Sequence, residues 1–317
     1  MSVSVAAALA GFEPRLPLVV AYSGGADSTA LLRACVERWP GQIRAVHVHH
    51  GLQAAADQFE RHCRDRCDQW AVPLRVCHVQ AGAAPRQSPE AAARDARYRA
   101  LADAARTAWP ADGVLDVAVG QHADDQIETV LLALSRGAGL PGLAGMPARW
   151  ERHGVRFCRP WLAVSGEDLR AWLRARDIDW IEDPTNADAR FTRNRIRREL
   201  LPTLQACFPH IRETLARSAG HAAEAQRLLA ELAAQDLAAA GDPPRIEALR
   251  RLSPERRVNA LRHWLQQVAG WAPSSAQMGE LVSQIGACRT RGHDIRVRVA
   301  AGFAVRDRDV LRYLPTL

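Results

Sequence analysis

A short apolar strand that runs directly into a glycine- and serine-rich turn constrains the fold of this chain most. Residues 18–22 (Leu-Val-Val-Ala-Tyr) read as a buried strand, residues 23–28 (Ser-Gly-Gly-Ala-Asp-Ser) as the turn, and a helical pattern follows to Arg38. Glycines allow the backbone to turn tightly and to approach a ligand. The N-terminus of the next helix offers free N–H groups and a positive dipole end. The segment therefore predicts an anion site formed by Ser23, Gly24, Gly25 and Ser28.

The same strand–helix alternation continues through the first half of the chain. Further strands are predicted at 43–49, 74–79 and 114–119, and helices at 56–70, 89–109 and 124–136. This order is typical of an α/β fold, a Rossmann-like parallel sheet covered by helices on both faces. Ligands of such sheets bind beyond the carboxyl ends of the strands.

The character of the sequence changes near residue 208. Alanine-rich helical stretches run from 209 to 240, a Gly-Asp-Pro-Pro break follows at 241–244, and two more helical segments precede short strands near 295–314. We expect a catalytic domain at 1–207 and a smaller, mainly helical accessory domain at 208–317.

Asp27 is unusual at a bare phosphate site, since two anions repel. It becomes favourable if Mg²⁺ lies between the carboxylate and the phosphates. Two other interpretations of the turn exist. It can be an ordinary helix start capped by Asp27 or Ser28. A serine-hydrolase elbow would need glycine two residues before Ser23, where the chain has Ala21.

A second acidic group follows the strand at 114–119. Asp125 and Glu128 are three residues apart and share one helix face. At a strand's carboxyl end they can hold magnesium or accept a proton. The alternative is a solvated, acid-rich first helical turn, which is common.

Charge and composition limit the binding partners and the catalytic mechanisms that are possible. The net charge is +7, which favours a polyanionic partner, and all 42 Lys+Arg residues are arginine. A chain without lysine cannot use a lysine-bearing Walker loop, a Schiff base or a covalent nucleotidyl-lysine.

Cysteines and histidines give no sign of a metal centre or of export. The seven cysteines are scattered and include no Cys-x-x-Cys, which predicts reduced thiols. No apolar run approaches the length of a membrane helix and no signal peptide is evident, so a cytoplasmic protein without membrane contact is expected. Alternation along the strand puts His47 and His49 on one face and His50 on the other. The three histidines therefore suit a shared metal poorly. Packing against a nucleotide is the favoured interpretation of these histidines.

The turn at 23–28 resembles the phosphate loop of the N-type ATP pyrophosphatases, the PP-loop superfamily. The segments 47–52, 90–98, 122–129 and 136–139 are similar to successive motifs of the tRNA(Ile)-lysidine synthetase family. The pairing of 180–186 (Trp-Ile-Glu-Asp-Pro-Thr-Asn) with 193–197 (Arg-Asn-Arg-Ile-Arg) is the most specific similarity. The resemblance covers about the first 200 residues in order.

The resemblance implies a ligase that uses ATP and Mg²⁺. Its substrates would be a tRNA(Ile) with a CAU anticodon and free L-lysine. ATP would adenylate the carbonyl oxygen of the wobble cytidine, with release of pyrophosphate. The lysine side-chain amine would then attack the base to form lysidine, and AMP would leave.

Residue roles follow from the same resemblance. Asp27, Arg94, Asp125 and Glu128 are the expected catalytic residues, and Arg97 is an alternative to Arg94 at the α-phosphate. ATP would be bound by Ser23, Gly24, Gly25, Asp27, Ser28 and His49. Magnesium would be held by Asp27 and Asp125. The acids Asp125 and Glu128 are equally candidates for binding the lysine ammonium and receiving its proton.

The arginine-rich run at 190–198 is expected to bind tRNA, because no acid balances the charge within it. The residues concerned are Arg193, Asn194, Arg195, Arg197 and Arg198. Since single-stranded bases stack on guanidinium planes, Arg193 or Arg197 is a candidate for holding the cytidine itself.

The sequence departs from the family pattern in two places. Gly120 and Gln121 precede His122, where the family has a small residue and a second histidine, and the chain ends before the further C-terminal domain that many members carry. Two other functions are considered, a PP-loop tRNA thiolase and a non-catalytic RNA-binding protein on the same fold. The sequence leaves open whether the protein is a monomer or a homodimer.

Overall fold

The computed structural model describes residues 3–49, 56–79, 89–182, 190, 192–270, 273–290 and 292–316, with the backbone alone for 89–91. Contacts between residues divide the chain into two compact units, Met1–Gly220 and His221–Leu317. The sequence predicts a boundary near residue 208, and we retain a two-domain organisation as a proposal.

A mostly parallel sheet forms the centre of the first unit. Its strands are β1 (Leu18–Ala21), β2 (Ile43–His49), β3 (Leu74–His78), β4 (Asp116–Ala118), β5 (Arg149–Arg152) and β6 (Val155–Cys158). Within the described residues the strand order is β3-β2-β1-β4-β6-β5, and only the edge strand β5 is antiparallel to its neighbour. The predicted α/β fold with a Rossmann-like parallel sheet is confirmed.

Helices surround this sheet. They are α1 (Val5–Ala10), α2 (Ala26–Arg38), α3 (Ala56–Gln69), α4 (Pro89–Thr107), α5 (Ala123–Ser135), α6 (Leu140–Leu143), α7 (Gly166–Arg174), α8 (Thr192–Arg195) and α9 (Leu201–Cys207). A 3₁₀ turn spans Pro110–Asp112, a π-helical turn spans Ile196–Leu200, and a long helix α10 covers Ile211–Ala240.

Side chains alternate between two apolar cores along each central strand. Val20 faces a core that also contains Leu31 of α2 and Leu169 of α7. Its neighbour Val19 faces the opposite core, which includes Tyr98 of α4. Because both faces are buried, the strand reads as a continuous apolar run. The sheet thus fixes the position of the loops at its carboxyl edge.

The hairpin of β5 and β6 is absent from our sequence-based prediction. His153 and Gly154 connect the strands with φ values of 50° and 72°, as a tight hairpin turn requires. Trp150 stacks on Phe157 with ring centroids 5.2 Å apart. The polar residues of β5 hide the strand pattern, whereas the His-Gly turn was a usable signal.

The second unit combines helices with a small antiparallel sheet. The helices are α11 (Ile246–Arg251), α12 (Pro254–Ala269) and α13 (Ser275–Ala287), and the strands are β7 (Arg296–Val299), β8 (Gly302–Asp307) and β9 (Val310–Pro315). Leu249, Leu261 and Leu281 lie in its core. The predicted helical character and terminal strands are confirmed, but three helices follow the break at 241–244 where two are predicted.

All seven cysteines are free, and Cys207 is the exposed one among them, with Cys77 half-buried. Burial raises the pKa of the Cys67 thiol to about 12 and that of Cys63 further still. These thiols are inert packing groups. In the part of the chain that the structure covers, no helix is both long and apolar enough to cross a membrane.

Candidate active site

The glycine-rich turn connects β1 to α2 and is ordered by its two serines. Ser28 donates its hydroxyl to the Gly25 carbonyl (3.0 Å) and accepts the backbone N–H of Ser23 (3.2 Å). Gly25 is the N-cap of α2 and has no side chain to occupy the first N–H groups. These groups therefore point into the turn, as an anion site requires.

Two glycines are required here by geometry. Gly24 has a φ of 84°, and a Cβ on it would lie 3.3 Å from the Cys63 sulfur. Gly120, after β4, approaches the turn so closely that a Cβ would lie 3.0 Å from the Ser28 nitrogen. Gly120, the small residue of this motif, thus forms a contact between the two strand ends.

His122 joins acids from both of these strand ends. Its Nε2 lies 3.5 Å from Asp27 Oδ2 and 3.7 Å from Asp125 Oδ2. His122 is also the N-cap of α5, since its backbone N–H donates to Asp125 Oδ2 (3.0 Å). We call Asp27, Asp125 and Glu128 the carboxylate cluster. The sequence predicted its acids but assigned no role to the buried histidine between them.

The contacts of His122 point to two different protonation states of its ring. The backbone N–H of Asp124 lies 3.2 Å from Nδ1, which suits a neutral ring that accepts there. Burial also disfavours the charged ring, but Asp27, Asp125 and Asp124 outweigh burial and raise the pKa of His122 to about 9. We favour the imidazolium, because three carboxylates lie within 3.7 Å and Asp124 Oδ2, 3.6 Å from Nδ1, can replace the backbone contact.

This assignment predicts a pH-dependent stability of the protein free of nucleotide and metal. A histidine whose folded-state pKa is raised stabilises the fold below pH 6.5 and loses that contribution as the pH rises through about 9. The loss is at most on the order of 3 kcal/mol in the free energy of unfolding. Urea unfolding between these pH values should show it in the wild type and not in His122→Asn, which retains a capping acceptor. Equal slopes in both proteins would refute the imidazolium.

Asp27 combines a lowered pKa with an unsatisfied oxygen. Burial raises its pKa, but the hydrogen bond and charge of His122 outweigh this, so the carboxyl group is ionised. Its Oδ1 atom is buried and has no hydrogen-bond partner among the described residues. An oxygen in that condition suits a hard cation. Asp27 therefore fits a magnesium ligand, and Asp125 is the adjacent acid that can share the ion.

Arg197 forms ion pairs with two acids of the carboxylate cluster, Glu128 and Asp125. Its Nε donates to Glu128 (2.7 Å) and its Nη2 to Asp125 (3.0 Å). Glu128 is 1% exposed, and burial raises its pKa, with Arg197 acting in the opposite direction. Arg197 comes from the π-helical turn at Ile196–Leu200, a local irregularity that often re-aims functional side chains. A residue predicted for tRNA binding thus places a cation where Glu128 and Asp125 converge.

Asp124 belongs to a structural network beside the cluster. It accepts Arg212 Nε (2.5 Å) and the backbone N–H of Gly166 (3.0 Å), which ties α5 to α10 and α7. Its pKa is lowered because Arg212 and His122 outweigh its burial. Neither Arg212 nor this role follows from a short motif in the sequence.

Arg94 lies among further arginines around the buried Tyr98. The guanidinium carbons of Arg94 and Arg97 are 5.8 Å and 5.5 Å from the ring centroid. Arg94 is half-buried, whereas Arg97 is exposed. The fully buried Arg159 follows β6 and stacks on Trp150 at 3.6 Å.

Arg159 contacts Gln121, the residue that stands where the family has a second histidine. It donates to Gln121 Oε1 and to the Pro147 carbonyl (2.7 Å), and these two acceptors fix its guanidinium group. Burial raises the pKa of Tyr98, but Arg159, Arg97 and Arg94 outweigh it and lower that pKa. Arg159 was missed by sequence reasoning, since a lone Arg-Pro pair carries no distinctive pattern.

The remaining predicted site residues are exposed or half-buried, and some motif residues lie outside the described residues. Arg193, Arg195 and Arg198 are exposed, and Asn194 is half-buried. His49 contacts Asp57 (3.0 Å), and His47 packs between the Tyr22 carbonyl (2.9 Å) and Cys63. The motif residues 50–52 and 183–186 lie outside the described residues.

Comparison with known proteins identifies the fold and the family of the chain. Residues 4–204 match the model of a PP-loop domain, and residues 245–312 match that of the TilS substrate binding domain. A solved U34-tRNA thiolase from Methanococcus maripaludis shares the fold, with a TM-score of 0.52 and 12% identity over 66% of this chain and 73% of that chain. Fold and site together define a PP-loop protein.

The sequence relatives are more specific. A tRNA(Ile)-lysidine synthase from Polaromonas naphthalenivorans is 57% identical over 92% of this chain and 87% of its own length. Synthases from Pseudomonas aeruginosa and Edwardsiella ictaluri are 47% and 40% identical, and the matches span 61% and 69% of their lengths. The chain belongs to the tRNA(Ile)-lysidine synthase family.

Proposed function

We propose that this protein uses ATP to adenylate the wobble cytidine of a tRNA(Ile) with a CAU anticodon and then joins free L-lysine to that base. The observation that carries the proposal is the meeting of Asp27 and Asp125 around His122. Acids from two strand ends lie beside a phosphate loop, as cleavage between the α- and β-phosphates requires. The proposed substrates, tRNA, ATP and free lysine, imply an enzyme that acts in the cytoplasm.

The nucleotide is bound at the turn between β1 and α2. The free N–H groups of α2 and the hydroxyls of Ser23 and Ser28 hold the outgoing pyrophosphate. Asp27 and Asp125 would hold Mg²⁺, which would offset the charge of the phosphates. Arg94 contacts the α-phosphate, and His49 packs against the nucleotide.

The cytidine carbonyl oxygen attacks the α-phosphorus, and the bond to pyrophosphate breaks. The lysine amine then attacks the activated ring carbon and displaces AMP. Lysine has an unperturbed pKa of about 10.4, so its ammonium must lose a proton first. Glu128 and Asp125 accept N–H groups from the Arg197 cation. Their oxygens are therefore placed to accept N–H groups of a cation, which supports this pair as the site of the lysine ammonium.

The reaction itself is the first test. Protein, ATP, the tRNA and radiolabelled lysine should together yield labelled tRNA, AMP and pyrophosphate. ADP and phosphate as products, or sulfur transfer in place of lysine transfer, would refute the proposal.

The arginine run supplies the tRNA surface, and its exposed members test this role. Arg195→Ala should reduce the salt slope of log affinity by about 0.7–0.9 for each lost phosphate contact, equally for cognate and non-cognate tRNA. Arg193→Ala should lower turnover more than binding if this residue holds the cytidine.

A matched control is Arg99→Ala, since Arg99 is exposed but paired with Asp95 on α4. Filter binding across a salt series should leave this variant at wild-type values. An unchanged slope in Arg195→Ala and Arg193→Ala alike would assign the tRNA surface elsewhere.

A further inference from the structure

A pair of histidines lies side by side at the carboxyl ends of β2 and β3. His49 and His78 are register partners in these parallel strands, and their ring centroids are 4.8 Å apart. His47, two residues before His49, packs on Cys63 of α3. Since side chains alternate along a strand, His49 faces the same helix.

Two acids of α3 lie over this histidine pair. Asp57 and Glu60 are three residues apart and share one helix face. Asp57 Oδ1 is 3.0 Å from His49 Nε2, and Glu60 Oε2 is 3.7 Å from His78 Nε2. Each imidazole therefore has one carboxylate beside it.

The separations match those of metal ligands. A tetrahedral zinc site with bonds of 2.0–2.1 Å places neighbouring ligand atoms about 3.3 Å apart. The two N···O distances lie on either side of that value, and the ligand atoms of His49, Glu60 and His78 all lie within 4.8 Å of one another. The His78 and Asp57 side chains are exposed and can rotate towards the other ligand atoms.

We propose that His49, His78, Glu60 and Asp57 form a binding site for a divalent transition-metal ion of the zinc class. Two imidazoles and two carboxylates form a donor set that zinc accepts. The ligands come from two adjacent strands and one helix, so the backbone that carries them is rigid.

Arg64 supports this arrangement from outside the ligand set. Both Nε and Nη2 donate to Glu60 Oε1, at 2.9 Å and 2.7 Å, and leave Oε2 directed at His78. Partners of this kind commonly orient metal ligands.

The site is independent of the carboxylate cluster, although His49 is also proposed to contact ATP. The test therefore uses His78 and Glu60, and it reads metal binding rather than ligase activity. Cys207 is an exposed thiol and a competing zinc ligand, so every protein carries Cys207→Ser.

Metal-free protein is titrated with Zn²⁺ in a calorimeter, and thermal unfolding is followed with and without the ion. The parent protein should bind one equivalent and gain thermal stability. His78→Ala and Glu60→Gln should each weaken binding at least about tenfold. Co²⁺ should give a visible absorption spectrum without a thiolate charge-transfer band.

His153→Ala is the matched control, because His153 lies 3.5 Å from Asp95 but has no second imidazole beside it in the described residues. It should bind Zn²⁺ as the parent does. Metal-free unfolding curves of all variants check that each is folded. The proposal is overturned if the parent binds no stoichiometric zinc, or if His78→Ala and Glu60→Gln bind it with parental affinity.

Discussion

The Asp27→Asn and Asp125→Asn variants are each expected to form AMP at least about tenfold more slowly than the wild type, a barrier increase of about 1.4 kcal/mol. In the proposed mechanism, Asp27 loses the charge that its unpartnered Oδ1 would present to Mg²⁺. Asp125 loses the charge that it would share between the metal and Arg197. Single-turnover AMP formation, with saturating tRNA and lysine, measures the effect.

Folding should survive both substitutions. Asparagine in place of Asp125 can still accept the backbone N–H of His122 and so preserve the cap of α5. Asp103→Asn is the control, because Asp103 is an exposed acid of α4 paired with Arg106. Wild-type rates at matched magnesium in both cluster variants would remove these acids from the mechanism.

The Arg197→Met variant is expected to lose both turnover and stability. The substitution leaves Glu128 buried without its cation, which in a fully buried pair costs about 3–5 kcal/mol. Arg197 is 36% exposed, so solvent screening reduces the expected loss to about 2 kcal/mol. Urea unfolding measures this loss. Turnover should fall because the carboxylate pair is no longer held in place.

The pH dependence of the Arg197→Met effect has a defined sign. Burial already raises the folded-state pKa of Glu128, and loss of Arg197 raises it further. An acid whose pKa is higher in the folded state than in the unfolded state binds more protons when the protein is folded. The free energy of unfolding therefore falls as the pH rises. The stability lost in Arg197→Met should therefore be smaller near about pH 5 than near about pH 8.

A double-mutant cycle with Glu128→Gln isolates this pair. In the Glu128→Gln background Arg197 no longer has a buried carboxylate as its partner, so Arg197→Met should cost markedly less. Additive losses with no change across pH would mean that the Arg197–Glu128 contact contributes nothing to the fold.

Local patterns in the sequence were sufficient for the centre of the sheet and the phosphate loop. The four strands at 18–22, 43–49, 74–79 and 114–119 are present, with small changes at their ends. That Asp27 and Asp125 approach each other follows from parallel strands whose carboxyl ends share one edge.

Contacts between distant residues had no comparable signal. Arg197 meets Glu128 across 69 residues, and Arg159 meets Gln121 across 38. An arginine run specifies positive charge but not which member turns inward. The choice depends on the π-helical turn at Ile196–Leu200, which no side-chain periodicity announces. His122 was similarly visible as a motif residue, but its three carboxylate neighbours required the fold.

The unequal burial of the cysteines allows one thiol to be labelled selectively. Cys207 ends α9, which directly follows the π-helical turn that carries Arg197 and Arg198. Because Cys207 is the one exposed thiol, a maleimide dye applied to the native protein should attach there first. Such a dye would lie one short helix after the arginine run in the chain. If this run is the tRNA surface, as proposed, the dye's fluorescence should change when tRNA binds and dissociates.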